Sequence, residues 1–218
     1  MRLLLVEGES DKSFFQELCR TLELRTSVRV APPREVQGAH NSKEGVLKLL
    51  PTLLKQLQDG LMERIAVVVD ADFAQDSGLG YRRTLERIEG IVGPFGFSLA
   101  KRSPQQRGLV FANSDGLADL GLWVMPDNRS DGCLEDFLQG CVCQAERSLF
   151  GRAQEAVGAL PQPRKFKAPQ VTKAELATWL AWQRSPGRGL YYAVQEGLLD
   201  IEGQPFTGLT DWLRLIYR

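Results

Sequence analysis

Residues 65–72 read Ile-Ala-Val-Val-Val-Asp-Ala-Asp. Five apolar β-formers run straight into two acids with no turn residue between them. So short and continuous an apolar run reads as a strand buried on both faces, the usual condition of a parallel sheet. An acid closing such a strand sits where open α/β sheets bind ligands, outside the carboxyl ends of their strands. The pattern recurs. Leu3 to Val6 is a second buried strand, followed by Glu7-Gly8-Glu9-Ser10-Asp11. Leu120 to Met125 is a third, followed by Pro126-Asp127, with Glu135-Asp136 in the first turn of the next helix.

Between these strands the periodicity changes to 3.6. Ser10 is placed to cap a helix whose apolar face is Phe14, Phe15, Leu18, Cys19 and Leu22. Val46 to Leu57 predicts a helix with a kink or restart at Pro51. Tyr81 to Val92 predicts another. Leu134, Phe137, Leu138, Cys141 and Val142 keep the i, i+3, i+4, i+7, i+8 spacing of an amphipathic helix. Val28 to Val30, Phe97 to Leu99 and Leu109 to Ala112 are short strand candidates. Past about residue 150 the strand signals fade, and Val171–Gln183, Leu190–Leu199 and Leu209–Tyr217 read as helices. The expected fold is α/β, a mainly parallel sheet flanked by helices. Residues 1–150 form the core, and residues 151–218 a helical C-terminal part packed on it.

Composition narrows the function classes. The 218 residues are 43% hydrophobic and 25% charged, which excludes wholesale disorder and a rod. Lys plus Arg and Asp plus Glu each number 27, so the chain carries no bulk field to hold a polyanion. No apolar run approaches the roughly 20 residues of a membrane span, and the N-terminus lacks the apolar core of a signal peptide. A cytoplasmic protein is expected. Cys19, Cys133, Cys141 and Cys143 lack paired zinc-ligand spacing, and reduced buried thiols are the expectation.

The acids carry the chemistry. If the first and third strands are parallel neighbours, Glu7 and Asp70 meet at one edge. Asp70 and Asp72, two apart in extended chain, are expected to point the same way. Asp11 lies four residues from Glu7 across a strand-to-helix turn. Gathered carboxylates repel one another unless a cation is present, and hard ions such as Mg²⁺ take oxygen ligands. Paired divalent ions can drive phosphodiester cleavage. Asp11, Glu135 and Asp136 each have a plainer role open to them as helix caps.

These residues resemble a Toprim domain, the catalytic module of topoisomerases, bacterial primases and OLD-family nucleases. The hydrophobic strand ending in Glu7-Gly8 and the strand ending in Asp70-Ala71-Asp72 carry the likeness. Val6-Glu-Gly-Glu-Ser-Asp11 is similar to the nuclease branch, and Leu134-Glu135-Asp136 resembles its later acidic motif more loosely. The chain also resembles small stand-alone bacterial Toprim-like proteins of poorly defined function. Met125-Pro-Asp-Asn128, Gly132-Cys-Leu-Glu-Asp136, Lys173, the Thr178–Gln183 helix and Pro186-Gly187 carry that second likeness. The resemblance implies a Rossmann-like Toprim sheet and Mg²⁺ or Mn²⁺ held by Glu7, Asp11, Asp70, Asp72 and Glu135. It implies catalysis by Glu7, Asp70, Asp72 and Lys173, a nucleic-acid substrate, and an ABC- or SMC-like ATPase partner in defence against phage or plasmids. Self-assembly into a homo-oligomer is left open.

The sequence lacks a topoisomerase tyrosine domain, primase template machinery and a P-loop of its own. A metal-dependent nuclease is therefore the leading expectation. A regulatory subunit inactive without its ATPase, and a phosphatase of small phosphorylated substrates, are the alternatives. Arg164, Lys165 and Lys167 are candidate nucleic-acid contacts, and Lys101, Arg102 and Arg107 further cations. His40 reads as an incidental loop histidine. Trp179 and Trp182 read as packing residues rather than base-stacking ones.

Overall fold

A computed structural model describes residues 1–31, 42–76, 78–100 and 107–218. Six strands form one sheet: β1 (Arg2–Val6), β2 (Ser27–Val30), β3 (Arg64–Asp70), β4 (Phe97–Leu99), β5 (Leu109–Asn113) and β6 (Leu120–Met125). Their order is β2-β1-β3-β6-β5-β4. β2, β1, β3 and β6 pair in parallel, and β5 runs antiparallel to both of its neighbours. Among the described residues eight α-helices flank the sheet: α1 (Glu9–Thr21), α2 (Lys43–Gln58), α3 (Gly80–Val92), α4 (Leu134–Gln139), α5 (Arg147–Gly158), α6 (Val171–Ala181), α7 (Tyr191–Gln195) and α8 (Phe206–Tyr217). The fold is α/β with a mostly parallel, Rossmann-like sheet.

Strand alternation divides the core in two. Leu4, Val6, Ala66, Val68, Trp123 and Met125 face one cluster, which also takes residues of α1 and α4 to α8. Leu3, Leu5, Ile65, Val67, Val69, Leu122 and Val124 face the other, which is completed by α2 and α3. Residues before and after position 150 thus share one apolar cluster, and position 150 itself falls within α5. Tyr217 Oη donates to Leu3 O at 2.6 Å, fastening α8 against β1.

The differences from the sequence-based elements have local causes. α1 starts at Glu9 with Gly8 as N-cap, and Asp11 rather than Ser10 caps it by accepting from Gly8 N at 2.9 Å. α2 continues through Pro51. α4 stops at Gln139 before Gly140, leaving Val142 to bridge Leu199. α7 ends at Gln195, before a turn in which Gly197 has φ 66°. α5 was not expected, because its buried stripe is only Phe150, Ala153 and Val157, with a glycine inside. Among the described residues no helix is long and apolar enough to cross a membrane.

Candidate active site

β1 and β3 are parallel neighbours whose chains leave in opposite directions. β1 feeds α1, whose Phe14, Phe15 and Leu18 pack on one face of the sheet. β3 leads to α3, whose Ile88 and Val92 pack on the other. The two strands therefore part at a topological switch point, and a crevice opens at their carboxyl ends. Glu7 follows the last residue of β1, and Asp70 is the last residue of β3. Glu7 Oε1 accepts from Asp70 N at 2.8 Å, so the expected meeting of the two strand ends is present.

Asp70 turns toward α4, where its Oδ1 accepts from Leu134 N at 2.9 Å. Glu135, next along that helix, pairs with Lys173 Nζ of α6 at 3.6 Å. Asp11 comes in from the first turn of α1. Glu7, Asp11, Asp70, Glu135 and Lys173 thus converge from four elements and the β1–α1 turn. Burial raises the Glu7 carboxyl to about 7; Lys43 and the Asp70 amide oppose the rise, and Asp72 and Asp11 add to it. Burial raises Asp11 to about 6, with Glu135 adding to the shift and Lys173 opposing it. Asp70 is held well above the ordinary range, first by burial and then by Glu7, Asp11 and Glu135. Burial disfavours the charge on Lys173, but the acids around it outweigh that and raise its pKa.

Asp72 goes elsewhere. Its φ of 59° takes it out of the extended conformation, so the period-two expectation that it points with Asp70 does not hold. Its carboxylate is paired with Lys43 Nζ at the start of α2, on the opposite face of the sheet. It still faces the crevice, lining a cavity of about 380 Å³ with Asp76, Cys133, Lys167 and Lys173. A second cavity of about 310 Å³ lies on the other side of Glu135 and Lys173, between Ser10, Leu180 and Arg188.

Several other acids are consumed by the fold. Asp136 accepts from Cys133 N at 2.8 Å and from Thr172 Oγ1 at 2.8 Å, capping α4 and docking α6 onto it. Asp127 closes its own turn through Arg129 N and Ser130 N. Among the proposed nucleic-acid contacts, Arg164 donates to Gly158 O at 3.1 Å and lies over the Phe166 ring. It serves to close the turn after α5. Lys165 and Lys167 are exposed, and only Lys167 borders the cavity beside the acids. Trp179 is fully buried and donates to Glu146, whereas Trp182 is 45% exposed. All four cysteines are free thiols. His40, Lys101 and Arg102 lie outside the described residues.

Sequence reasoning missed Lys43 and Asp131. Lys43 is buried in the first turn of a helix, where the dipole favours acids, and that misplacement was a readable signal. Asp131 accepts from Ala74 N and Tyr81 N and so ties down the loop after β3; a turn acid gives no such signal.

By donor chemistry the convergent acids fit a hard divalent cation. Glu7, Asp11 and Asp70 each commit one oxygen to a backbone N–H and keep the other outside those bonds. Their proton affinities are raised in part by one another, and a cation would relieve that repulsion. Among the described residues no three His, Cys, Asp or Glu side chains are already drawn together as a metal centre. Over residues 1–218 the chain matches a family described as protein of unknown function (DUF3226). No curated protein and no solved structure matches it.

Proposed function

We propose that this chain, which belongs to the DUF3226 family, is a metal-dependent nuclease of Toprim type that cleaves phosphodiester bonds at the carboxyl edge of β1 and β3. The observation that carries the reading is the convergence of Glu7, Asp11, Asp70 and Glu135 at a switch point, with Lys173 beside them. A fold gains no stability from crowding partly buried acids. Such a cluster is a functional-site candidate because its repulsion is relieved by protonation or by a bound cation.

Glu7, Asp11, Asp70 and Glu135 would hold Mg²⁺ or Mn²⁺, which when bound polarises a phosphoryl oxygen and shares its charge. Glu7, raised to about 7 by burial, would give up its proton near neutral pH as an ion binds beside it. Lys173, which lines the cavity, would supply a cation toward the negative charge that develops on phosphate. Lys167 on the rim adds a second positive charge for the substrate backbone. With zero net charge the chain is a weak unaided ligand for a polyanion. That supports delivery of the substrate by a partner, and the Toprim likeness suggests an ABC- or SMC-like ATPase in defence.

The compact cavity of about 380 Å³ favours a second reading, a phosphatase of small phosphorylated substrates. The deciding assay is Mg²⁺- and Mn²⁺-dependent cleavage of DNA and RNA side by side, with and without the ATPase, against a small phosphate ester. The nuclease reading expects nucleic-acid cleavage abolished by Asp70→Asn. Turnover of the small ester alone would replace it with the phosphatase.

A further inference from the structure

Lys43 occupies a place that a lysine ordinarily avoids. It is the first residue of α2, at the positive end of the helix dipole, and its side chain is only 10% exposed. An ammonium in such a place is costly unless it is paired. Lys43 Nζ donates to Ala71 O at 3.0 Å and pairs with the Asp72 carboxylate. It is also the largest attraction acting against the burial of Glu7.

Asp72 is a rigid anchor for this lysine. Its backbone is pinned from both directions, donating to Gly132 O at 2.8 Å and accepting from Gly132 N at 3.2 Å. The following loop folds back so tightly that a Cβ on Gly78 would come within 2.6 Å of the Asp72 Cβ. The left-handed φ of 59° is thus enforced from both sides, and it delivers the carboxylate to Lys43 rather than to Asp70.

We infer that Lys43, held by Asp72 beside Glu7, stands in for a second divalent ion. The acids gathered on the α4 side then take up one ion only. Two-ion phosphodiesterases hold their metals roughly 4 Å apart and need carboxylates on both sides. Here the carboxylate on the α2 side, Asp72, is already occupied by an ammonium that belongs to the chain. Lys43 is therefore a positioning residue, which sets metal stoichiometry and fixes the charge beside Glu7.

This inference rests on the metal-centre reading above, and a count of bound Mn²⁺ by electron paramagnetic resonance on the full chain separates the two. The wild type and Lys43→Arg are expected to bind one Mn²⁺ per chain. Lys43→Met is expected to bind two, because Asp72 is released as a ligand. Adding Asp72→Asn to Lys43→Met should return the count to one. Lys43→Gln, which keeps a donor for Ala71 O, replaces the methionine variant if circular dichroism shows that the latter is unfolded. Two ions in the wild type, or one in folded Lys43→Met and Lys43→Gln alike, would overturn the inference and leave the metal centre standing. No Mn²⁺ bound by the wild type would remove both.

Discussion

The two sides of the β3 end treat their acids in opposite ways. Toward α2, Asp72 meets a lysine and the pair is closed. Toward α4, Asp70 meets Glu7, Asp11 and Glu135, with the half-exposed Lys173 in opposition. A paired carboxylate needs no ligand to explain it. An under-compensated group of them costs the folded state free energy and lowers its stability at neutral pH. On the function proposed above, the second side is kept for an ion, and the first for holding the second in place.

Breaking the unpaired side has the largest expected effect. Asp70→Asn keeps an oxygen for Leu134 N but removes the central charge. Metal-dependent cleavage should fall on the order of 10³-fold, the scale of losing a preorganised electrostatic group. The melting temperature of the metal-free protein at pH 8 should rise at the same time. A cleavage rate unchanged by this variant would sink the site assignment. Removing the opposing cation is milder. Lys173→Met should lower kcat by roughly 10- to 100-fold with partial rescue by Lys173→Arg, since a cation rather than packing is lost.

The pH dependence sharpens the comparison further. Glu7 and Asp11 have folded values of about 7 and about 6 against ordinary values of 4.5 and 3.8, so the folded state binds their protons more tightly. Their stabilising contribution is full at acidic pH and is lost as pH rises through the folded values. Metal-free protein should therefore lose stability, on the order of 5 kcal/mol, between about pH 4 and pH 8 in chemical denaturation. Mn²⁺ or Asp70→Asn should flatten that slope, and a stability that climbs over the same window would contradict the buried-acid cluster. The smallest effect belongs to the paired side's scaffold. Asp131→Ala removes the acceptor for Ala74 N and Tyr81 N and should cost about 1–2 kcal/mol in the same assay.

The strands and their closing acids were legible because apolar β-formers and acids alternate so sharply there. Glu7 and Asp70 were placed together correctly by assuming adjacent parallel strands. Asp72 was misdirected because strand periodicity ends where φ turns positive, and nothing local in Asp70-Ala71-Asp72 announces that turn. The cause lies in Gly132 and Gly78, distant or downstream in the chain. Asp136 and Arg164 show the same limit. A carboxylate in a first helical turn and an arginine in a basic run carry the same letters whether they cap the fold or face a ligand. Thr172 and Gly158, which decide the matter, are apart from them in sequence.

The hydrogen bond from Tyr217 to Leu3 spans 214 positions of chain, and α8 covers the face of the central strands. Loop closure over such a span is slow to be rewarded, because its entropy is spent before the contact forms. During synthesis β1 and α1 leave the ribosome well before residues 206–217, so the apolar cluster they share with α8 is completed after its other members have been made. A nascent chain would close that cluster only as α8 docks.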